Sequence, residues 1–346
     1  MRRRCGYLLA VRFVTFNISS GRSLADGRVD VDRFAAVIAA LDADVLSLQE
    51  VDRDQQRSGG ADLCRIAAKA MGARHHVFAP TLYGTPGSRW TAAGDRPQRG
   101  PAYGCALLSQ LPLRKVQVLR TPAAPIALPL WVPKAGILVV REEPRVAIVA
   151  QIDLGDGHEV TVVGTHLPFA PVWKSRQLRR LVQEVRARPD PLLLLGDLNL
   201  RGAAPARITG FRSLASAPTF PAPRPRLQLD HILARGEFGS VASTSTPLVA
   251  VSDHRPLVVD LDLLEAVRSG GRPGIRPVGR TTGVDPRAEE DSMPGLDDIK
   301  KLADEHDDQV DKGLDKAGDA AGAKFGHEDQ IDKAVDAAEE RTGDKN

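Results

Sequence analysis

Four carboxylates, two amides and two imidazoles fall at the ends of β-patterned segments or in the turns beside them. They are Glu50, Asp197, Asp230 and Asp253, then Asn17 and Asn199, then His166 and His254. The clearest case is Leu192-Leu193-Leu194-Leu195-Gly196-Asp197-Leu198-Asn199. Four leucines fit a buried strand, and Gly196 reads as the turn that ends it, with a carboxylate and an amide following at once. Polar groups carried at the end of a rigid buried strand are held in place, which catalysis requires. Four carboxylates gathered at one rim would repel one another unless a cation sat among them. Oxygen donors of this kind, without a cysteine cluster or two histidines at helical spacing, favour Mg2+ or Mn2+ over zinc. Such an ion beside imidazoles suits hydrolysis of a phosphate ester, where phosphoryl charge is neutralised and a water is activated.

The elements that must carry these groups follow from patterning. Residues 12–17 read as a strand that delivers Asn17. Asp30 or Asp32 can cap a helix with Phe34, Val37, Ile38 and Leu41 on one face, and Asp42-Ala43-Asp44 breaks it. Residues 45–49 form a second strand, ending in Glu50. A helix over 62–71 would bury Leu63, Ile66 and Ala70 and close at Gly72. Residues 76–79 are strand-like. Residues 82–101, with Arg89, Trp90, Arg96 and Arg99, read as a solvated surface loop, with phosphate binding as the alternative. A strand covers 103–109, and 118–133 is a proline-studded connection. Gly155-Asp156-Gly157 joins strands 146–154 and 159–165 as a hairpin, with His166 immediately after. Ser175 can cap a helix bearing Leu178, Leu181, Val182 and Val185, which Pro189 and Pro191 stop. Residues 227–234 form a strand containing Asp230, and Ser252-Asp253-His254 is a loop before a last strand over 257–263.

Composition bounds the rest. The chain has 346 residues, 42% of them hydrophobic, enough for a sizeable core. No apolar run approaches the roughly 18 residues that span a bilayer, so no membrane span is expected. Residues 1–10 read as a ragged leader on a cytoplasmic protein, with secretion the lesser alternative. Three scattered cysteines argue against a disulfide framework. The net charge of +3 hides an asymmetry: residues 293–346 carry 8 basic and 16 acidic side chains, leaving +11 on the remainder. A basic body is compatible with phosphate-bearing substrates, nucleic acid among them.

The ordered motifs Thr15-Phe16-Asn17-Ile18, Leu48-Gln49-Glu50-Val51, Thr165-His166-Leu167, Gly196-Asp197-Leu198-Asn199, Leu229-Asp230-His231-Ile232 and Ser252-Asp253-His254-Arg255-Pro256 resemble the endonuclease/exonuclease/phosphatase superfamily. These are the deoxyribonuclease I-like, Mg2+-dependent phosphoesterases, and the resemblance spans about 11–264. It implies a four-layer α/β sandwich of two packed, largely antiparallel sheets with outer helices. It also implies residue roles: Glu50 as principal metal ligand with Asn17 and Asp253, and Asp197 handling the attacking water. Asn199 and His166 would then contact the phosphate, and His254, paired with Asp230, would act at the scissile bond. The expected activity is a phosphodiesterase or nuclease. The alternatives are a phosphomonoesterase on a lipid or sugar phosphate, or a non-catalytic sandwich that presents its tail. Two departures blur specificity: Ser19 stands where several nucleases have Asp, and Cys105 where many relatives have Asn. His166, where abasic-site endonucleases usually have Tyr, argues against that subgroup.

Residues 265–292, rich in Gly, Pro and Arg, read as a disordered linker. Residues 293–346 carry thin helical stripes amid dense charge, and glycines 313, 318, 322 and 326 weaken any helix there by up to ~1 kcal/mol each relative to Ala. This acidic, marginally helical tail resembles a family of small actinobacterial antitoxins, which implies a toxin-like protein partner. The alternative is a solvated acidic segment without one. The catalytic domain is expected to be monomeric.

Overall fold

The leucines at 192–195 show how the layers are made. Leu193 and Leu195 pack with Phe13, Leu107, Ile148 and Ile232, while Leu192 and Leu194 pack with Leu178 and Leu181. Successive strand side chains point to opposite faces, so a strand covered on both sides is apolar throughout. The computed structural model describes residues 3–4, 7–8 and 10–262, apart from 124–127, 133–135, 141, 156 and 171–172. The linker and acidic tail expected over 265–346 lie outside the described residues.

In chain order the first elements are β1 (Val11–Asn17), α1 (Val31–Ala40), β2 (Val45–Arg53), α2 (Leu63–Met71), β3 (His75–Gly84), β4 (Trp90–Ala92) and β5 (Ala102–Ser109). Then come β6 (Leu113–Thr121), β7 (Arg145–Gly155), β8 (His158–His166), α3 (Trp173–Glu184), β9 (Leu192–Asp197) and α4 (Ala204–Thr209). The last are β10 (Arg212–Ser213), β11 (Asp230–Arg235), β12 (Val241–Ser245) and β13 (Leu257–Leu261). Short antiparallel pairs also join Arg3–Arg4 to Tyr7–Leu8, and Leu128–Val132 to Gly136–Val140.

One sheet has seven strands in the order β12-β13-β1-β2-β5-β3-β4, the other six in the order β10-β11-β9-β8-β7-β6. Each holds a single parallel pair, β1 with β2 and β8 with β9; every other pairing is antiparallel. A parallel pair needs a crossover, and α1 and α3 supply the two. One apolar cluster lies between the sheets, around Phe13, Leu107, Ile148, Leu195 and Val259. A second joins the seven-stranded sheet to α1 and α2 through Phe16, Phe34, Ile38, Leu48 and Leu63. A third joins the six-stranded sheet to α3 through Val163, Leu178, Leu194 and Leu233. This is the expected α/β sandwich, helix, sheet, sheet and helix in turn.

Local signals explain most boundaries. The Asp30 carboxylate accepts the N–H groups of Asp32 and Arg33, both at 3.0 Å, and caps α1. Asp62 caps α2 in the same way, and Gly72 closes it in the left-handed region. Four expectations change. The buried face of α2 is Leu63, Cys64, Ala67, Ala68 and Met71, with Ile66 and Ala70 only partly covered. α3 begins at Trp173, so Ser175 lies within its first turn and does not cap it. Residues 82–101 are not loop throughout, because β3 runs on to Gly84 and pairs with β4 through Leu82 and Ala92. Likewise the strand β6 reaches Thr121, inside the segment read as connection. No helix among the described residues is long and apolar enough to cross a membrane.

Candidate active site

Strand register brings the polar ends together. β9 places Asp197 beside His166 on its parallel neighbour and beside Asp230 on its antiparallel neighbour. Three residues far apart in sequence thus stand in a row across one sheet. Asp197 is the last residue of β9, and Gly196 does not end the strand. Gly196 is needed for close approach: a Cβ there would lie 2.0 Å from the Thr165 carbonyl oxygen.

The facing sheet contributes Asn17 and Glu50. The strand β2 does not stop at Glu50 but continues to Arg53 through an irregularity. Its pairing with β5 jumps from Leu48–Ala106 to Val51–Gly104, so Gln49 and Glu50 share a single opposing residue, Cys105. Glu50 takes φ 56°, and this bulge turns its side chain to the rim. A left-handed conformation in a non-glycine residue costs on the order of 1 kcal/mol and gathers at functional sites. Asn199 (φ 51°) and Ser252 (φ 73°) share it.

Asn17 ties the two sheets. Its Nδ2 donates to Glu50 Oε1 at 2.9 Å and to Asp197 Oδ2 at 3.0 Å, while its Oδ1 accepts the Ser19 N–H at 3.1 Å. To offer oxygen to a cation the amide must turn over and give up these bonds. Asp197 also accepts the Asn199 N–H at 2.9 Å. Its Oδ2 lies 3.5 Å from His166 Nε2 and 3.8 Å from His254 Nε2. Burial pushes the Asp197 carboxyl up to about 7, against the opposing pull of His254.

The two imidazoles differ. His254 Nδ1 donates to Asp230 Oδ2 at 2.8 Å, and its backbone N–H goes to Ser252 Oγ. Ser252 in turn donates to the Asn17 carbonyl at 2.6 Å, anchoring this loop to the end of β1. The Phe220 ring covers one side of His254, 4.9 Å between centroids. Burial opposes a charge on His254, but Asp230, Asp197 and Asp253 outweigh it and hold the ring well above its usual value. His166 goes the other way: burial, the Arg145 guanidinium and His254 hold it well below. Arg145 Nη1 stands 3.3 Å from His166 Nδ1, and Glu142 Oε2 stands 3.3 Å from Arg145 Nη2. The Asn199 Nδ2 donates to the Leu167 carbonyl at 2.9 Å and lies 3.3 Å from His166 Nε2.

Of the eight expected residues, seven form one connected set: Asn17, Glu50, His166, Asp197, Asn199, Asp230 and His254. Asp253 is half-buried beside His254 and contributes to its charge. Arg145 and Glu142 were not anticipated. The signal available was an Arg opening a run of buried apolar residues, Val146 to Ala150, just after two glutamates. The loop arginines Arg89, Arg96 and Arg99 are exposed, as expected.

The donor chemistry fits a divalent cation. Among the described residues, ligand atoms of Asp197, Asp230 and His254 lie within 4.8 Å of one another, close enough to hold one. Asp230 Oδ1 is also buried without a hydrogen-bond partner among the described residues. The short Asp230–His254 bond and the charge on His254 work against a cation at that spot, however. Glu50 is half-buried at the rim and is the more open carboxylate.

Comparison with known proteins agrees with this fold. Residues 14–254 match the model of the Endonuclease/Exonuclease/phosphatase family, and residues 296–342 match that of MT0933-like antitoxin protein. A UPF0294 protein from Vibrio cholerae is 30% identical over 132 residues, 35% of this chain and 46% of that one. The chain thus spans about half the length of the curated relatives it matches. A crystal structure of an endonuclease/exonuclease/phosphatase from Beutenbergia cavernae shares the fold, with TM-score 0.55, 24% identity and coverage of 74% and 72% of the two chains. A family protein from Leptotrichia buccalis superposes with TM-score 0.52 at 14% identity, covering 72% of this chain and 99% of that one. ANGEL2, a 2′,3′-cyclic phosphatase, gives TM-score 0.50 at 17% identity, covering 73% and 95%. With its motifs met at one rim and most of its length matched, the chain belongs to the endonuclease/exonuclease/phosphatase family.

Proposed function

We propose that this chain is a divalent-metal-dependent phosphoesterase that cleaves phosphodiesters by attack of water. The observation that carries the reading is Asp197, one buried carboxylate set between two imidazoles and tied through Asn17 to Glu50. Glu50, with Asn17 and Asp253 around it, would hold Mg2+ or Mn2+. When bound, that ion supplies positive charge against the phosphoryl oxygens. Asp197, ionising near neutrality, takes a proton from the attacking water. His254, kept charged by Asp230, hydrogen-bonds the phosphoryl group where charge develops. Neutral His166 and the Asn199 amide give further hydrogen bonds to its oxygens. The excess of basic side chains on the body supports polyanionic substrates, nucleic acid among them. The tail match supports a separate protein-binding role for residues 293–346.

The test is hydrolysis by the purified full chain, with Mg2+ or Mn2+, of plasmid DNA, RNA, bis-p-nitrophenyl phosphate and p-nitrophenyl phosphate. Cleavage of the diester in preference to the monoester supports the proposal. A preference for the monoester replaces it with a phosphomonoesterase, and activity that persists in EDTA removes the metal from it.

A further inference from the structure

We infer that Arg145 is a positioning residue for His166, fixing the tautomer that carries its hydrogen on Nε2 and presents it toward Asp197 and the phosphate. The inference rests on the proposed function above and deepens it. A guanidinium has donors and no acceptor, so the atom facing it must accept. Arg145 Nη1 faces His166 Nδ1 at 3.3 Å, so Nδ1 offers its lone pair and the ring hydrogen sits on Nε2. The other side of the ring agrees, because Nε2 is 3.5 Å from Oδ2 of Asp197, an acceptor. The Asn199 Nδ2, 3.3 Å from Nε2, gives one of its two hydrogens to the Leu167 carbonyl, so it does not need the ring as its acceptor.

Arg145 is itself held in place. Glu142 Oε2 faces its Nη2, and Glu142 Oε1 accepts the Ala170 N–H at 2.9 Å. Guanidinium, carboxylate and the turn that follows His166 therefore close into one unit. Arg145 is only 7% exposed, and its Nε is buried without a partner among the described residues. A buried cation with an unmet donor is poor value for stability alone, and apolar side chains fill such space at least as well. Its place against His166 Nδ1 gives it a use that packing does not. A carboxylate in the same place would require a hydrogen on Nδ1 instead, as Asp230 does at His254.

The experiment is nitrogen NMR of the 15N-labelled full chain, in EDTA and in Mg2+, with the His166 ring assigned through its loss in His166→Gln. We expect an unprotonated Nδ1 and a protonated Nε2 in the unsubstituted protein. In Arg145→Met the ring should lose that pattern, and in Arg145→Lys it should regain it. With bis-p-nitrophenyl phosphate, Arg145→Met should lower kcat by up to ~10-fold, no more than loss of the His166 ring itself, with little change in KM, as expected for a misplaced group acting in the transition state. Should Arg145→Met not fold, Arg145→Met with Glu142→Gln removes the carboxylate left unpaired and takes its place. A protonated Nδ1 in the unsubstituted protein overturns the inference whatever the variants do. So does an unchanged His166 pattern in Arg145→Met, alone or with Glu142→Gln. If the tautomer is as stated but no phosphate ester is hydrolysed, the functional proposal fails and the inference stands.

Discussion

Asp197 has an imidazole on each side, and the two sides are built toward opposite charge. Toward β11, His254 leans on the carboxylate of Asp230 and is held protonated. Toward β7, His166 leans on the guanidinium of Arg145 and is held neutral. Both rings are buried to a similar degree, 6% exposed each, so burial alone does not separate them. The neighbour behind each ring decides. One buried carboxylate thereby meets a fixed cation on one side and a neutral ring on the other. A base that must take up a proton gains from having only one cation beside it, since a second would depress its basicity further.

The largest effect should come from the residue both sides share. Asp197→Asn keeps the shape and removes the base, and should lower kcat by at least ~100-fold. A loss under ~10-fold in bis-p-nitrophenyl phosphate hydrolysis would remove Asp197 from the mechanism. The next effect should be unequal between the rings. His254→Ala takes away a charged donor and should also cost about 100-fold, in the range of a lost transition-state hydrogen bond. His166→Ala takes away a neutral one and should cost about 10-fold, nearer an ordinary hydrogen bond. Equal losses would break the comparison, because they would mean the two rings carry the same charge in the transition state.

Much of this site could be read before its geometry was known, and the reason is local. Asn17, His166 and Asp197 are strand ends, and strand ends follow from runs of apolar residues that their own sequence displays. The caps Asp30 and Asp62 lie within three residues of the groups they bond. What stayed hidden depends on a second segment. The bulge at Glu50 exists only in register against Cys105, so the strand looked as though it ended there. Gly196 looked like a turn because nothing near it in sequence shows that Thr165 passes so close. Arg145 looked like one more arginine in a basic body. Only the packing of β7 against β8 reveals that it faces His166.

A smaller effect, on stability, sharpens the contrast between the rings. In EDTA, His254 has a raised folded value, so its contribution to stability is full below the usual 6.5 and is lost as pH climbs through that raised value. His166 has a lowered folded value, so its contribution is present above 6.5 and is lost as pH falls toward it. Thermal melts across pH should therefore show His254→Ala less sensitive than the unsubstituted protein on the alkaline side. His166→Ala should be less sensitive on the acid side. Asp197, pushed up to about 7, loses its contribution as pH rises through that value. It does so in the unsubstituted protein and in His166→Ala alike. Matching pH profiles for the two histidine variants would mean that Arg145 and Asp230 do not set the charges.

The smallest effect concerns a part of the chain outside the comparison. Every contact that distinguishes the two sides of Asp197 lies between residues 17 and 254, within the stretch matched by the family model. Deleting residues 293–346 should therefore leave kcat on bis-p-nitrophenyl phosphate within about twofold, since no charge at the reacting atoms changes. A polyanionic substrate is a finer probe. The deleted segment has eight more acidic than basic residues, and the remaining body is strongly basic. Long-range attraction to nucleic acid should rise with its removal, most at low salt where screening is weak. A fall in KM for DNA at low salt with an unchanged kcat for the small diester would place the tail's influence on encounter. A fall in kcat on the small diester would instead show that the tail reaches the chemistry, and the two-module reading would be wrong.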